Sequence, residues 1–222
     1  MQLSARPLTL SRVVVPGQGI LRDVALVVGF SLFTALSARI SIPLPFTSVP
    51  ITGQTLAVLL TGAVLGSRLG SLALLAYLAE GLAGLPVFAN GASAWTISPV
   101  TGLPAIVGSS AGYLYAYPLA AFVVGYLAEH GWDRSVLRAG IAMLIGEVII
   151  YAIGLPWLAI SIAWSSVLQT LIPGATLLEK TLTGGLLPFI PGDLIKLVLA
   201  AAALPGAWAL VRSRSKGQRQ EG

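Results

Sequence analysis

Residues Pro188–Lys196, PFIPGDLIK, run directly into the apolar stretch LVLAAAALPGAWALV at 197–211. In a soluble protein an acid and a base three residues apart at the head of a helix would be ordinary. In hydrocarbon each ionised side chain is expensive and must face protein, water or a partner. Composition decides between the two settings. Of 222 residues, 56% are hydrophobic and only 9% are charged, and the mean hydropathy is +0.89. A soluble domain of this size would carry about a quarter of its residues as charges. The chain therefore reads as an all-α integral membrane protein. With no cysteine and a single histidine, His130, thiolate chemistry, disulfides and a histidine metal triad are ruled out.

Stretches of about 17–25 apolar residues bounded by Gly, Pro or charge mark membrane helices. Six are expected, near 22–40, 51–66, 69–85, 109–128, 138–164 and 192–212, the second and third joined as a tight hairpin by GSRLGS. Residues 1–20 read as an arm, 21–212 as the membrane domain and 213–222 as a basic tail held at an anionic lipid surface. Arg6, Arg12, Arg22, Arg68, Arg134, Arg138, Arg212, Arg214, Lys216 and Arg219 then fall on one side, and only Arg39 and Lys180 on the other. The positive-inside rule makes the first side, with both termini, cytoplasmic. No signal-peptide core is expected in the arm, because Pro16 and two glycines interrupt its apolar runs.

The three outward connections are long and nearly uncharged, and rich in Pro, Gly, Asn, Ser and Thr. They suit a cap over an outward-facing ligand cavity; interfacial segments anchored by Trp95 and Trp164 are the plainer alternative. Four ionisable residues fall inside spans: Glu80, Glu147, Asp193 and Lys196. For Glu147 a structural hydrogen bond to a Ser, Thr or Tyr of a neighbouring helix and a functional role are equally open. Asp193 and Lys196 share one helix face about a turn apart, so they either pair or serve one ligand. Since Pro191-Gly192 marks a helix start, a capping Asp with a snorkelling Lys is equally open. Tyr113 and Tyr117 share a face of the fourth span. In the first span Ser31, Thr34, Ala35 and Ala38 form a small-residue face that lets another helix approach, within this chain or from a separate subunit.

Catalytic constellations are missing. GATLLEKT, Gly174–Thr181, approaches a phosphate-binding loop but places Glu179 where the second glycine and the phosphate charge belong. A second aspartate to join Asp193 in an intramembrane protease pair is also lacking, since Asp23 and Asp133 lie at the cytoplasmic edge. Energy for any transport would have to come from a gradient or another subunit.

Four ordered segments together resemble the BioY family, the biotin-specific S components of energy-coupling-factor (ECF) transporters. They are ISIPLPFTSVPITGQTLAVLLTGAVLG (40–66), YLAEGLAGLPVFANG (77–91), AGYLYAYPLAAFVVGYLAE (111–129) and PFIPGDLIK (188–196). The loop GASAWTISPVTGLPAIVGSS is longer than in many members, and GSSAGYL stands where many carry Gly-Pro-Thr before the Gly-Tyr. The resemblance implies a six-helix fold in the plasma membrane, biotin as ligand with no cofactor, and a coupling transmembrane subunit with two ATPases as partners. It implies contact with the vitamin for Asp193, Lys196 and Tyr113, and proximity to the cavity for Asn90, Gln54 and Thr55. No nucleic-acid partner is expected. Ser31, Thr34, Ala35 and Ala38 are the candidate contacts to the coupling subunit. An importer working without ATPases and a non-transporting scaffold are the competing readings. Carboxylate, ammonium and phenol suit biotin's ureido N–H groups, carboxylate and ring. Asp193 and Lys196 are separated by only about 5 Å along a helix, so both serve one part of the molecule, and which end stays open.

Overall fold

The computed structural model describes residues 9–17 and 19–217. Residues 1–8 and 18 of the expected arm, and 218–222 of the expected tail, lie outside the described residues. The described residues are mostly helical. A five-residue helix α1 (Leu10–Val14) leads into α2 (Ile20–Ser37), and a short antiparallel pair follows, β1 (Ser41–Ile42) with β2 (Ile51–Thr52). Then come α3 (Gln54–Leu65), α4 (Ser67–Leu82), α5 (Ala111–Glu129), α6 (Val136–Trp164), α7 (Ser166–Leu171), α8 (Leu177–Gly185) and α9 (Ile190–Gly217). Among the described residues, four helices are long and apolar enough to cross a membrane: α2, α5, α6 and α9. At 12 and 16 residues, α3 and α4 are shorter.

Each expected stretch coincides with one of these helices, with shifts at the ends. Residues 51–52 belong to β2 instead of a helix. Helix α9 continues to Gly217, past the expected boundary at 212. The third outward connection, expected to be extended, holds α7 and α8. There Glu179, the residue that spoils the phosphate-loop pattern, completes a capping box: Thr176 accepts from the Glu179 N–H at 3.2 Å, and the Glu179 carboxylate accepts from the Thr176 N–H at 3.2 Å. Lys180 donates to the carbonyls of Gln169 at 2.5 Å and Ile172 at 2.8 Å, closing the end of α7.

Helix α5 is the hub, packed on α6, α3 and α4, while α2 rests on α4 and α9 on α6. Between α3 and α4 stands one residue, Gly66, with φ +88°. That left-handed conformation disfavours a side chain, and a Cβ would also lie 2.5 Å from the Glu129 carboxylate, which accepts the Ser67 N–H at 2.8 Å.

The small-residue face of α2 requires a correction. Ser31, Thr34, Ala35 and Ala38 are all buried within this chain, and Ser31 Oγ donates to Glu80 Oε1 on α4 at 2.6 Å. Close approach is indeed what small side chains permit, but the approaching helix is the chain's own α4. In this structure the four are not open to a separate subunit, and α2 instead exposes Val24, Val28, Leu32 and Leu36.

At the opposite end of the bundle, Asp133 in the turn between α5 and α6 is buried and accepts from Trp208 Nε1 at 2.5 Å, while the Arg134 guanidinium lies 4.6 Å from the Trp208 ring centroid. Burial raises the Asp133 pKa above the usual carboxylate range, against the lowering effect of the Trp208 hydrogen bond. Because the folded-state value exceeds the unfolded one, folding favours the protonated acid, and stability falls as pH rises from the unfolded value through the folded one. Asp133→Asn keeps an acceptor for Trp208 and is expected to flatten this dependence, as read by thermal unfolding in detergent at acidic and neutral pH. Ala35→Trp is expected to overpack the α2–α4 contact and lower stability by about 1–3 kcal/mol in the same measurement.

Candidate ligand cavity

A cavity of about 400 Å³ opens between α3, α5, α6 and α9 beneath the β1–β2 hairpin and the 86–108 loop. Gln54, Thr55, Asn90, Tyr113, Asp193 and Lys196, the six residues expected from sequence, all line it. They come from helices far apart in sequence and from one loop.

Asp193 and Lys196 form an ion pair at 3.1 Å with side chains 13% and 15% exposed, respectively. The Lys196 ammonium also donates to Thr55 Oγ1 on α3 at 3.0 Å. An ammonium has three N–H donors, so these two bonds leave one for the cavity. Asp193 is not a cap. Helix α9 begins at Ile190, the Asp193 N–H bonds the Phe189 carbonyl at 2.9 Å, and its carboxylate accepts from Lys196 and from the hydroxyl of Tyr151. Tyr151, on α6, was not singled out in sequence. Its signal would have been its spacing of four from Glu147, which puts both on one face of α6.

Tyr113 and Tyr117 are buried and line the cavity together, as their shared face predicts. The Tyr113 hydroxyl donates to the Gly185 carbonyl at 3.0 Å, and its ring meets that of Tyr151 edge-on at 6.2 Å. Gly154 makes room for that ring: a Cβ there would lie 2.4 Å from Tyr113 Cδ1. Gln54 lines the cavity, but its amide nitrogen donates to Tyr77 at 2.5 Å, and Tyr77 donates in turn to the Val87 carbonyl at 3.1 Å. This chain ties α3 to α4 and to the start of the 86–108 loop. Asn90 sits exposed at the rim with φ 57°, a left-handed conformation that Asn tolerates.

The loops are fastened over the opening. Arg39 donates to the Pro86 carbonyl, Trp95 Nε1 to the Leu82 carbonyl at 2.9 Å, Thr47 Oγ1 to the Gly184 carbonyl at 2.7 Å, and Ser48 shares a hydrogen bond with Ser109 at 2.7 Å. Trp95 is therefore partly a loop fastener, whereas Trp164 is 88% exposed. Of the two readings open for Glu147, the structural hydrogen bond is not made: the residue is buried on α6, and neither carboxylate oxygen has a hydrogen-bond partner.

Apolar helices of membrane-crossing length around a cavity with a charged pair on its wall define a multi-pass membrane protein with a polar-edged ligand site. Residues 6–213 match the BioY family. The chain is 40% identical over 181 residues to the biotin transporter BioY of Rhodobacter capsulatus, covering 80% of this chain and 88% of that one. It is 35% identical over 188 residues to the biotin transporter BioY of Rhizobium etli, covering 81% and 89%. The fold is similar to the crystal structure of the S-component for biotin from an ECF-type ABC transporter, with a TM-score of 0.66, 25% identity, and 90% of this chain and 95% of that one covered. The chain belongs to the BioY family, a family of transport components and not of enzymes.

Gly154→Ala is expected to push the Tyr113 ring out of its seat and to lower stability by about 1–3 kcal/mol. Thermal unfolding in detergent checks this, with an unchanged midpoint contradicting the packing described.

Proposed function

We propose that this chain captures biotin from the outer side of the plasma membrane and delivers it for import together with an ECF coupling subunit and two ATPases. The observation that carries the reading is the Lys196–Asp193 pair on the wall of a largely apolar cavity, with one ammonium donor left over. Its relatives supply the ligand: the similar proteins of known type are biotin transporters and a biotin S-component. A fused ring with two ureido N–H donors, one acceptor and a carboxylate tail matches one acid, one ammonium and the Tyr113 and Tyr117 rings.

In this reading α2, α3, α4, α5, α6 and α9 all cross the membrane, with α3 and α4 as a hairpin turned at Gly66. Both termini are cytoplasmic, residues 1–20 and 213–222 flank the membrane domain 21–212, and the cavity opens outward. The distribution of bases supports that orientation: Arg68, Arg134 and Arg138 lie at the end away from the cavity, with Arg22 at the start of α2, against Arg39 and Lys180 in the connections at the cavity end. Any docking of a coupling subunit on α2 must use its open face of Val24, Val28, Leu32 and Leu36, since Ser31, Thr34, Ala35 and Ala38 are covered.

Purified chain in detergent is expected to bind biotin and not thiamin or riboflavin. Lys196→Ala should weaken that binding by about 100-fold, the loss of a charged hydrogen bond of about 2–3 kcal/mol, in a chain that still folds but unfolds at a lower temperature, because Asp193 loses its counter-ion and α9 its tie to Thr55. Near-native affinity in the variant would overturn the site. Uptake of labelled biotin should require the coupling and ATPase subunits; full uptake in cells devoid of such modules would favour an importer acting alone.

A further inference from the structure

Glu147 is the one acid among the described residues with neither carboxylate oxygen hydrogen-bonded. It is 5% exposed and sits mid-way along α6, one turn before Tyr151. The groups around it are known from every side. Helix α9 presents Asp193 and Lys196, α5 presents Tyr117, and α6 itself presents Tyr151. Helix α3 contains no acid or base.

An ionised carboxylate here would lack any hydrogen bond and would stand beside a second carboxylate, Asp193. Lys196 offers no full remedy, because its ammonium already serves Asp193 at 3.1 Å and Thr55 at 3.0 Å. Unpaired buried charge of this kind costs several kcal/mol. Protonation removes the cost at once. The empty site then holds one positive and one negative charge in balance.

We propose that Glu147 is a proton-binding site linked to the cavity: at alkaline pH, where part of the chain carries it ionised, its carboxylate takes up a proton as an anionic ligand enters, so that ligand and proton bind cooperatively. The reason is electrostatic. A ligand carboxylate entering between low-dielectric walls repels an ionised Glu147, which lies behind the Tyr117, Tyr151 and Asp193 of the cavity wall. That repulsion favours the protonated acid, whichever end of the ligand meets Lys196. Affinity for the anion must then fall as pH rises and Glu147 ionises, by up to about tenfold per pH unit.

This inference rests on the biotin reading, and the experiment separates the two. Biotin binding to the full chain in detergent is followed by calorimetry from about pH 6 to 9, in buffers of different ionisation enthalpy, which counts the protons taken up. The native chain is expected to take up a fraction of a proton per biotin in the alkaline part of the range, while Glu147→Gln takes up none and holds the same affinity across it. Binding without proton uptake at any pH, or uptake that persists in Glu147→Gln, overturns the proposal and leaves the biotin reading intact. Infrared difference spectra need no ligand: the native chain should show the carbonyl stretch of a protonated acid at neutral pH that is absent from Glu147→Gln and, as a second variant, from Glu147→Leu. Absence of that band in the native chain overturns the proposal even if biotin fails to bind, and failure to bind biotin overturns the functional reading.

Discussion

An ammonium inside an apolar bundle has to be answered from several sides, and the arrangement of this molecule follows from that requirement. Lys196 is held by Asp193 on its own helix and by Thr55 on α3, and Asp193 is held in turn by Tyr151 on α6. Three helices are thereby tied at one point. Removing a partner from such a group leaves a polar atom with neither water nor protein to satisfy it. The site is polar enough to recognise a ligand because the same bonds that stabilise the bundle leave one donor facing the cavity.

Around this point, small residues set how closely the helices approach. Gly154 admits the Tyr113 ring, and Gly66 turns α3 into α4 in a single step. The loops then close the other end through hydrogen bonds to backbone carbonyls: Arg39 to Pro86, Thr47 to Gly184 and Trp95 to Leu82. Carbonyls at helix ends lack intrahelical partners, so the bonds to Leu82 and Gly184 meet a need that already exists there. Lys180 does the same at the end of α7.

Much of this was legible in the chain. Its lack of charge meant a membrane, the apolar runs located the helices, and spacing put Asp193 with Lys196 and Tyr113 with Tyr117. Ordered motifs named the family, and all six residues expected at the cavity line it. These signals survive because helical periodicity and burial energy act locally, residue by residue.

What the sequence left open was always a matter of which neighbour a face meets. A stripe of small residues on α2 says that something packs there; only the folded chain shows that it is α4, through Ser31 and Glu80. An acid in a span demands a partner, yet Glu147 has none and Asp193 has two, Tyr151 on α6 and Lys196 on its own helix. The capping role open to Asp193 disappeared because α9 starts one residue before Pro191. The sequence by itself determined the membrane setting, the helices and the chemistry available on each face. Tertiary structure decided the pairing of those faces, because a residue's angle on its own helix is fixed by the 3.6-residue turn, whereas its partner is fixed by packing between helices distant in the chain.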